Sequence, residues 1–378
     1  MDFRLSSEQR ALAELATELA RQSAPDPFVS WEEAGRFPWS FGTELGKHGL
    51  TGIDVPEEIG GQGGSLLDAL VVLESVGRVA PHLADAVQAT NFGAMRQIAA
   101  FGSERVVVDV LKPVLAGEAL ATVGMSEPDA GSGLASLRTR ARREGRDVVL
   151  DGAKQFNSNG PHATHYVVWC RFGPERQDVG AVVVPADAPG FARGKTERFM
   201  SGEVYCSLHM DHCRVPVDYV LLDRDGIRRM MPIFNIERLG NATRSYAFGE
   251  LAFHLATRYM TERSVGGQRL TEFQGLRWRV ADLRIRLDAA RLLLYRAACE
   301  LTDGVPDGDN VSIAKCAANE VGFEAAHQAL QIYGGYGFGS ESAVEYLFKR
   351  TRGWMIAGGS VEVQRNRIAR EVFRRIEG

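Results

Sequence analysis

Tyr166-Val167-Val168-Trp169 and Gly180-Ala181-Val182-Val183-Val184, with Val148-Val149-Leu150 upstream, are short runs of β-branched and aromatic residues. Such residues fit a pleated surface buried on at least one side, so each run reads as a strand. Gly, Pro, Asp and Asn separate the runs, and turns are expected near Gly145 and Ala188-Pro189-Gly190. The texture begins at about Ala119 and ends at about Leu222, which predicts a sandwich or barrel over 119–222.

Outward from this region the period changes to that of helices. Ser6 and Gln9 form a capping box ahead of Leu12, Leu15, Ala16 and Leu19 on one stripe. A second helix follows the loop Gly60-Gly61-Gln62-Gly63-Gly64, with Ser65 as its cap and Leu66, Leu70, Leu73 and Val76 toward the core. Ala- and Val-rich helical stretches continue to about Glu118. Beyond Asp223 helices are expected over 230–263, 271–303 and 310–333 with a final pair through 378, broken at Gly304 and Gly334-Gly335. The expected domains are therefore 1–118 helical, 119–222 β and 223–378 helical. That segregation argues against an alternating parallel sheet.

A chain of 378 residues with 45% hydrophobic and 24% charged side chains is an ordinary globular sequence of two or three domains. Its 48 acids against 44 bases give a net charge of -4 without a basic stripe, which argues against nucleic acid as a partner. The late cluster Arg365, Arg367, Arg370, Arg374 and Arg375 has helical spacing and reads as a solvated face. No apolar run is long enough to span a bilayer, and the start Met1-Asp2-Phe3-Arg4 lacks the apolar core of a leader, so a cytoplasmic protein is expected. Cys170, Cys206, Cys213, Cys299 and Cys316 match neither a disulfide framework nor a zinc motif. His209 and His212-Cys213 fall in a strand and turn, and no metal is expected there.

Six strings carry functional chemistry. They are Ser126-Glu127-Pro128-Asp129-Ala130-Gly131-Ser132, Gly152-Ala153-Lys154-Gln155-Phe156-Asn157-Ser158-Asn159-Gly160, Arg263-Ser264-Val265-Gly266, Phe273-Gln274, Gln331-Ile332-Tyr333-Gly334-Gly335-Tyr336-Gly337, and Gly358-Gly359-Ser360-Val361-Glu362-Val363-Gln364-Arg365. In type, order and spacing they resemble the flavin and substrate strings of the acyl-CoA dehydrogenase family over nearly the whole chain. The resemblance implies a mainly α fold with a middle β-barrel domain, an N-terminal helical domain and a C-terminal four-helix bundle. It also implies FAD as cofactor and an acyl-CoA substrate. Electron-transfer flavoprotein is the implied acceptor, and a homotetramer or homodimer the implied assembly.

The resemblance places Met125, Ser126, Gly131 and Ser132 along the flavin and its diphosphate, where Gly131 lets the backbone come close. Ser132 is expected to touch substrate as well. The family's Trp-Ile-Thr step is Phe156-Asn157-Ser158 here, which keeps an aromatic face and a hydroxyl; by pattern alone Asn157–Gly160 is a hairpin turn. Arg263, Val265, Phe273 and Gln274, with Gln331, Gly334 and Gly335, are expected at a cofactor shared with a neighbouring subunit. The glycines of the Gln331 string follow a helix and lack the spacing of a Rossmann loop.

Removal of a thioester α proton requires a positioned carboxylate. Many family members carry it at the position occupied here by Gly358, which has no side chain. A branch that includes isovaleryl-CoA and long-chain acyl-CoA dehydrogenases carries it on the first bundle helix, where this chain has Phe234-Asn235-Ile236-Glu237-Arg238. Glu237 is the expected base, with Asn235, Arg238 and Gly359 at the substrate. The Gly358 amide is the expected donor to the thioester oxygen. Ser360, Val361 and Glu362 are expected at the flavin, and Glu362 is the rival base. Val265, Phe156-Asn157-Ser158 and Lys349-Arg350 depart from the family pattern. They keep open a partner-dependent subunit of a heterotetramer, of the kind acting on steroid side chains. A flavin monooxygenase or oxidase is a second alternative.

Overall fold

The structure, a computed structural model, describes residues 3–377, so the Met1-Asp2 start read above lies outside it. Helix α1 (Ser7–Ser23) opens on the capping box, with Gln9 N–H donating to Ser6 Oγ at 3.1 Å and Ser6 N–H to Gln9 Oε1 at 3.0 Å. Its buried stripe is Ala16, Leu19 and Ala20. Two helices that the sequence pattern passed over come before the Gly-rich loop, α2 (Trp31–Ala34) and α3 (Trp39–Lys47). Gly46 admits another part of the chain, since a Cβ there would lie 2.9 Å from the Ala116 carbonyl oxygen. The helices α4 (Leu66–Gly77), α5 (Ala84–Asn91), α6 (Met95–Phe101), α7 (Glu104–Val106) and α8 (Lys112–Leu115) follow, the last two joined by a π-type turn over Val107–Leu111.

Nine strands share one sheet: β1 (Ala121–Gly124), β2 (Arg140–Glu144), β3 (Asp147–Ser158), β4 (His165–Arg171), β5 (Val179–Pro185), β6 (Phe191–Arg193), β7 (Glu197–Arg198), β8 (Val204–Pro216) and β9 (Val220–Leu222). The path is β6-β8-β3-β2-β4-β5-β9, with β1 parallel to β4 and β7 beside β8. Val148, Val149, Leu150, Tyr166, Trp169, Val182, Val183 and Val184 are fully buried, each stabilising the sheet by about 1.5–3 kcal/mol through removal of apolar surface from water. The Asn157–Gly160 segment is not a hairpin. β3 pairs with β2 and β8, and the chain crosses from Ser158 to β4, whose antiparallel partner is β5. Asn159, at φ +55, starts that crossover by accepting from the amides of His162 and Ala163.

The C-terminal region holds α9 (Gly226–Glu262), the hairpin β10 (Ser264–Val265) and β11 (Gln268–Arg269), and α10 (Gln274–Cys299). A second hairpin, β12 (Leu301–Thr302) and β13 (Val305–Pro306), leads to α11 (Gly308–Tyr333), α12 (Gly335–Phe338), α13 (Ala343–Trp354) and α14 (Val361–Glu377). The residues form two compact units. One gathers Trp31–Ser65 and Asp85–Glu237; the other gathers α1, Leu66–Ala84 and the chain from Arg238 onward.

The arginines of α14 are exposed, as a solvated face requires, with Arg374 and Arg375 on Glu371, Arg367 on Asp309 and Arg365 on Glu320. All five cysteines are free thiols. No described helix is long and apolar enough to cross a membrane.

Candidate active site

In the sheet unit the Ser126–Ser132 string leaves β1 and is pinned at once. Gln155 N–H donates to Ser126 C=O at 2.9 Å, and Glu127 and Ala130 exchange both backbone hydrogen bonds. Beneath the string, Lys154 Nζ lies 2.8 Å from Glu127 Oε1, both side chains buried, and also reaches Met125 C=O at 3.3 Å. The Glu127 carboxylate accepts further from the Arg138 amide, the Thr139 amide and the Thr139 hydroxyl. Burial pushes the Glu127 carboxyl up, but Lys154 and these donors outweigh it and hold the group below its ordinary range. Gly131 and Ser132, beyond this anchor, are exposed.

Phe156 sits where β3 is bulged against β8, between Lys154 and Asn157. Its φ of +57° is unusual for a bulky residue, and the residue is 55% exposed. Tyr205 lies beside it with ring centroids 5.6 Å apart, and Phe199 stacks on Tyr205 at 4.3 Å. Ser158, two residues on, is exposed, so an aromatic face and a hydroxyl are both offered to solvent. Asn157 departs from the expectation of a ring contact. Its side chain turns inward to β1, accepting from the Thr122 hydroxyl at 2.9 Å and donating to Val123 C=O at 2.9 Å. The bulge puts Phe156 outward and Asn157 inward.

In the bundle unit Arg263, Val265, Gly334 and Gly335 come together, although about 70 residues separate the two strings. They line a cavity of about 490 Å³ with Tyr259, Leu270, Ile332, Tyr333 and Tyr336. Tyr333, given no role in its string, stacks at 4.3 Å on Tyr259, which no string contains, in the cavity wall. Gln274 and Gln331 are exposed, on the first turn of α10 and the last turns of α11, and Phe273 is half-buried just before α10.

The two acids considered as base differ sharply. Glu237 is half-buried on α9, flanked by buried Asn235, Ile236 and Arg238, with its Oε2 out of contact with water. Glu362 is exposed on the first turn of α14, and hydrogen bonds from the Ser360 hydroxyl and its own backbone hold its carboxyl below the ordinary range, which makes it a weak base. Gly358 and Gly359 precede α14 at φ +71° and +88°. Arg238, expected at substrate, directs Nε to Gly358 C=O at 2.9 Å.

His212 reaches Asp211 and Asp151 on the exposed side of β8, whereas Cys213 is buried. Arg142 already binds Asp151 there.

Residues 6–118, 122–213 and 224–373 match the N-terminal, middle and C-terminal domain models of acyl-CoA dehydrogenases. The chain is 30% identical to an acyl-CoA dehydrogenase of Bacillus subtilis, over 96% of this chain and 97% of that one. It belongs to the acyl-CoA dehydrogenase family. Membership makes it an enzyme of the flavin-dependent oxidoreductase class acting on acyl-CoA. It is also 30% identical to a 3-sulfinopropanoyl-CoA desulfinase of Paraburkholderia xenovorans, over 97% of this chain and 96% of that protein. The fold matches butyryl-CoA dehydrogenase from Megasphaera elsdenii at a TM-score of 0.91 and 28% identity, covering 99% of this chain and all of that one.

Proposed function

We propose that the protein is an FAD-dependent dehydrogenase that converts an acyl-CoA to its trans-2-enoyl-CoA, with Glu237 as the α-proton base. Glu237, with a carboxylate oxygen kept away from water, carries this reading, since position 358 has no side chain and Glu362 is exposed and weakened as a base.

The donor set fits a flavin. Phe156 and Ser158 offer a ring face and a hydroxyl, Ser126 and Ser132 add hydroxyls, and the Arg263 cavity adds a cation and two side-chain-free glycines for a dinucleotide half. Bound FAD supplies a two-electron acceptor for the hydride that leaves the β carbon. The chain's own residues do the rest. Glu237 takes the α proton, while the Gly358 N–H meets the charge that develops on the thioester oxygen. Asn235, Arg238 and Gly359 are assigned to the substrate side. In this reading Arg263, Val265, Phe273, Gln274, Gln331, Gly334 and Gly335 serve the cofactor of a second copy in a homo-oligomer. Electron-transfer flavoprotein accepts the electrons.

Dye reduction across a panel of acyl-CoAs, with wild type and Glu237→Gln, tests the assignment. The variant is expected to stay yellow and lose about 10²–10⁴-fold in turnover. Full turnover by the variant overturns Glu237 as base. The similarity to a desulfinase supports a second chemistry on the same scaffold. Sulfite release from 3-sulfinopropanoyl-CoA without dye reduction would decide for it.

A further inference from the structure

Between α13 and α14 the chain turns four carbonyls onto donors of its own unit. Trp354 C=O accepts from Lys315 Nζ at 3.1 Å and Asn319 Nδ2 at 2.6 Å, and Met355 C=O accepts from Val361 N–H at 3.2 Å. Gly358 C=O accepts from Arg238 Nε at 2.9 Å, and Gly359 C=O from Gln364 Nε2 at 3.1 Å. In a trans peptide the C=O and the following N–H point in opposite directions. The straps on Gly358 and Gly359 therefore aim the amides of Gly359 and Ser360 away from Arg238 and Gln364 and fix the plane next to the Gly358 amide.

Gln364 is locked in turn. It is 1% exposed, and its Oε1 faces the Ser312 hydroxyl at 2.9 Å, itself 2.8 Å from Gly308 C=O. Rotation of the Gln364 amide would break both of its hydrogen bonds while buried, which is unfavourable. The turn also needs its glycines: a Cβ at 359 would meet Gln364 Nε2 at 2.8 Å, and one at 358 would lie 3.2 Å from Asn241 Nδ2.

We propose that Gln364, oriented by Ser312, is a positioning residue for the Gly358–Ser360 turn: it fixes the peptide plane between Gly359 and Ser360, and Arg238, as the second strap, fixes the plane between Gly358 and Gly359 next to the Gly358 amide. The proposal rests on the reading of Gly358 as the donor to the thioester oxygen. A positioned donor stabilises the enolate more than the keto form, so displacement raises the pH at which a bound thioester ionises.

Acetoacetyl-CoA bound to the holoenzyme reports this without redox turnover. Its α proton passes to Glu237, and the electron pair of the broken C–H bond moves onto carbonyl oxygen. The enolate is followed by its ultraviolet band against pH, alongside melting temperature and flavin spectrum. Gln364→Met keeps length and removes the donor. It is expected to retain its flavin spectrum and move the ionisation midpoint upward by about one pH unit, a tenfold loss of enolate at fixed pH. Ser312→Ala should move it the same way by less, and it decides the question if the Met variant does not fold. An unchanged midpoint in a folded variant overturns the proposal. A wild-type complex that never enolises overturns instead the underlying reading of Glu237 and Gly358.

Discussion

The sheet unit and the bundle unit bury charge in different ways. Under the Ser126–Ser132 string one carboxylate meets one ammonium, Glu127 and Lys154, with side chains 4% and 0% exposed. In the bundle unit two buried carboxylates share three arginines. Glu74 binds Arg78, Arg291 and the Tyr295 hydroxyl; Glu250 binds Arg284, Arg78 and the Tyr246 hydroxyl. Those arginines are 35–42% exposed, so their charge is partly solvated. The pair under the string has no water to fall back on, whereas the network can lose a member and redistribute its bonds. A loop tied to one dry pair is held rigidly and is fragile to mutation.

The largest effect is therefore expected at Lys154. Lys154→Met leaves a buried carboxylate without its cation and should cost about 3–5 kcal/mol, read as a fall in melting temperature and loss of bound flavin. Adding Glu127→Gln should recover much of the stability, because the uncompensated charge is gone. The pH dependence has a definite sign. Glu127 is held below its ordinary range when folded, so its contribution is present above that range and disappears as pH falls through the folded value. Wild type should lose stability in acid more steeply than the double variant. Equal slopes would mean that the pair is electrostatically inert.

That pair also marks the limit of what sequence conveys. The α-β-α order follows from composition and period, and the six strings point to the family. Lys154 stood inside a quoted string without a role, because its partner is 27 positions earlier and pairing across strands is not encoded in spacing. Asn157 sits mid-motif in sequence, whereas a bulge decides which neighbour faces out. In α3, Gly46 looks like a breaker by type, yet it serves a close approach of the Ala116 carbonyl. Gln364 drew no attention because its work is on a backbone carbonyl five residues before it.

An intermediate effect is expected in the bundle network. Glu74→Gln keeps an acceptor for the Tyr295 hydroxyl and leaves Arg78 and Arg291 half in water, so the cost should be about 1 kcal/mol. Burial lowers the Arg291 guanidinium, but Glu74 and its neighbours outweigh burial and hold it above its ordinary value. Denaturant unfolding of the variant should show a shifted midpoint at unchanged slope. A loss as large as that of Lys154→Met would erase the proposed contrast between a dry pair and a shared network.

The smallest change in stability, and the one with opposite signs for fold and function, is expected at Phe156. A bulky residue at φ +57° costs about 1–2 kcal/mol relative to a residue free to adopt that region, and more than half of the residue is left in water. Phe156→Gly should therefore leave the apo protein as stable as wild type or slightly more so, since relief of strain offsets the greater entropy of an unfolded glycine. It should also weaken flavin retention, measured by dilution or by dialysis against a competing apoflavoprotein. If the variant melts lower and holds flavin unchanged, Phe156 packs the sheet through Tyr205, and its exposed ring has no part in the cofactor site.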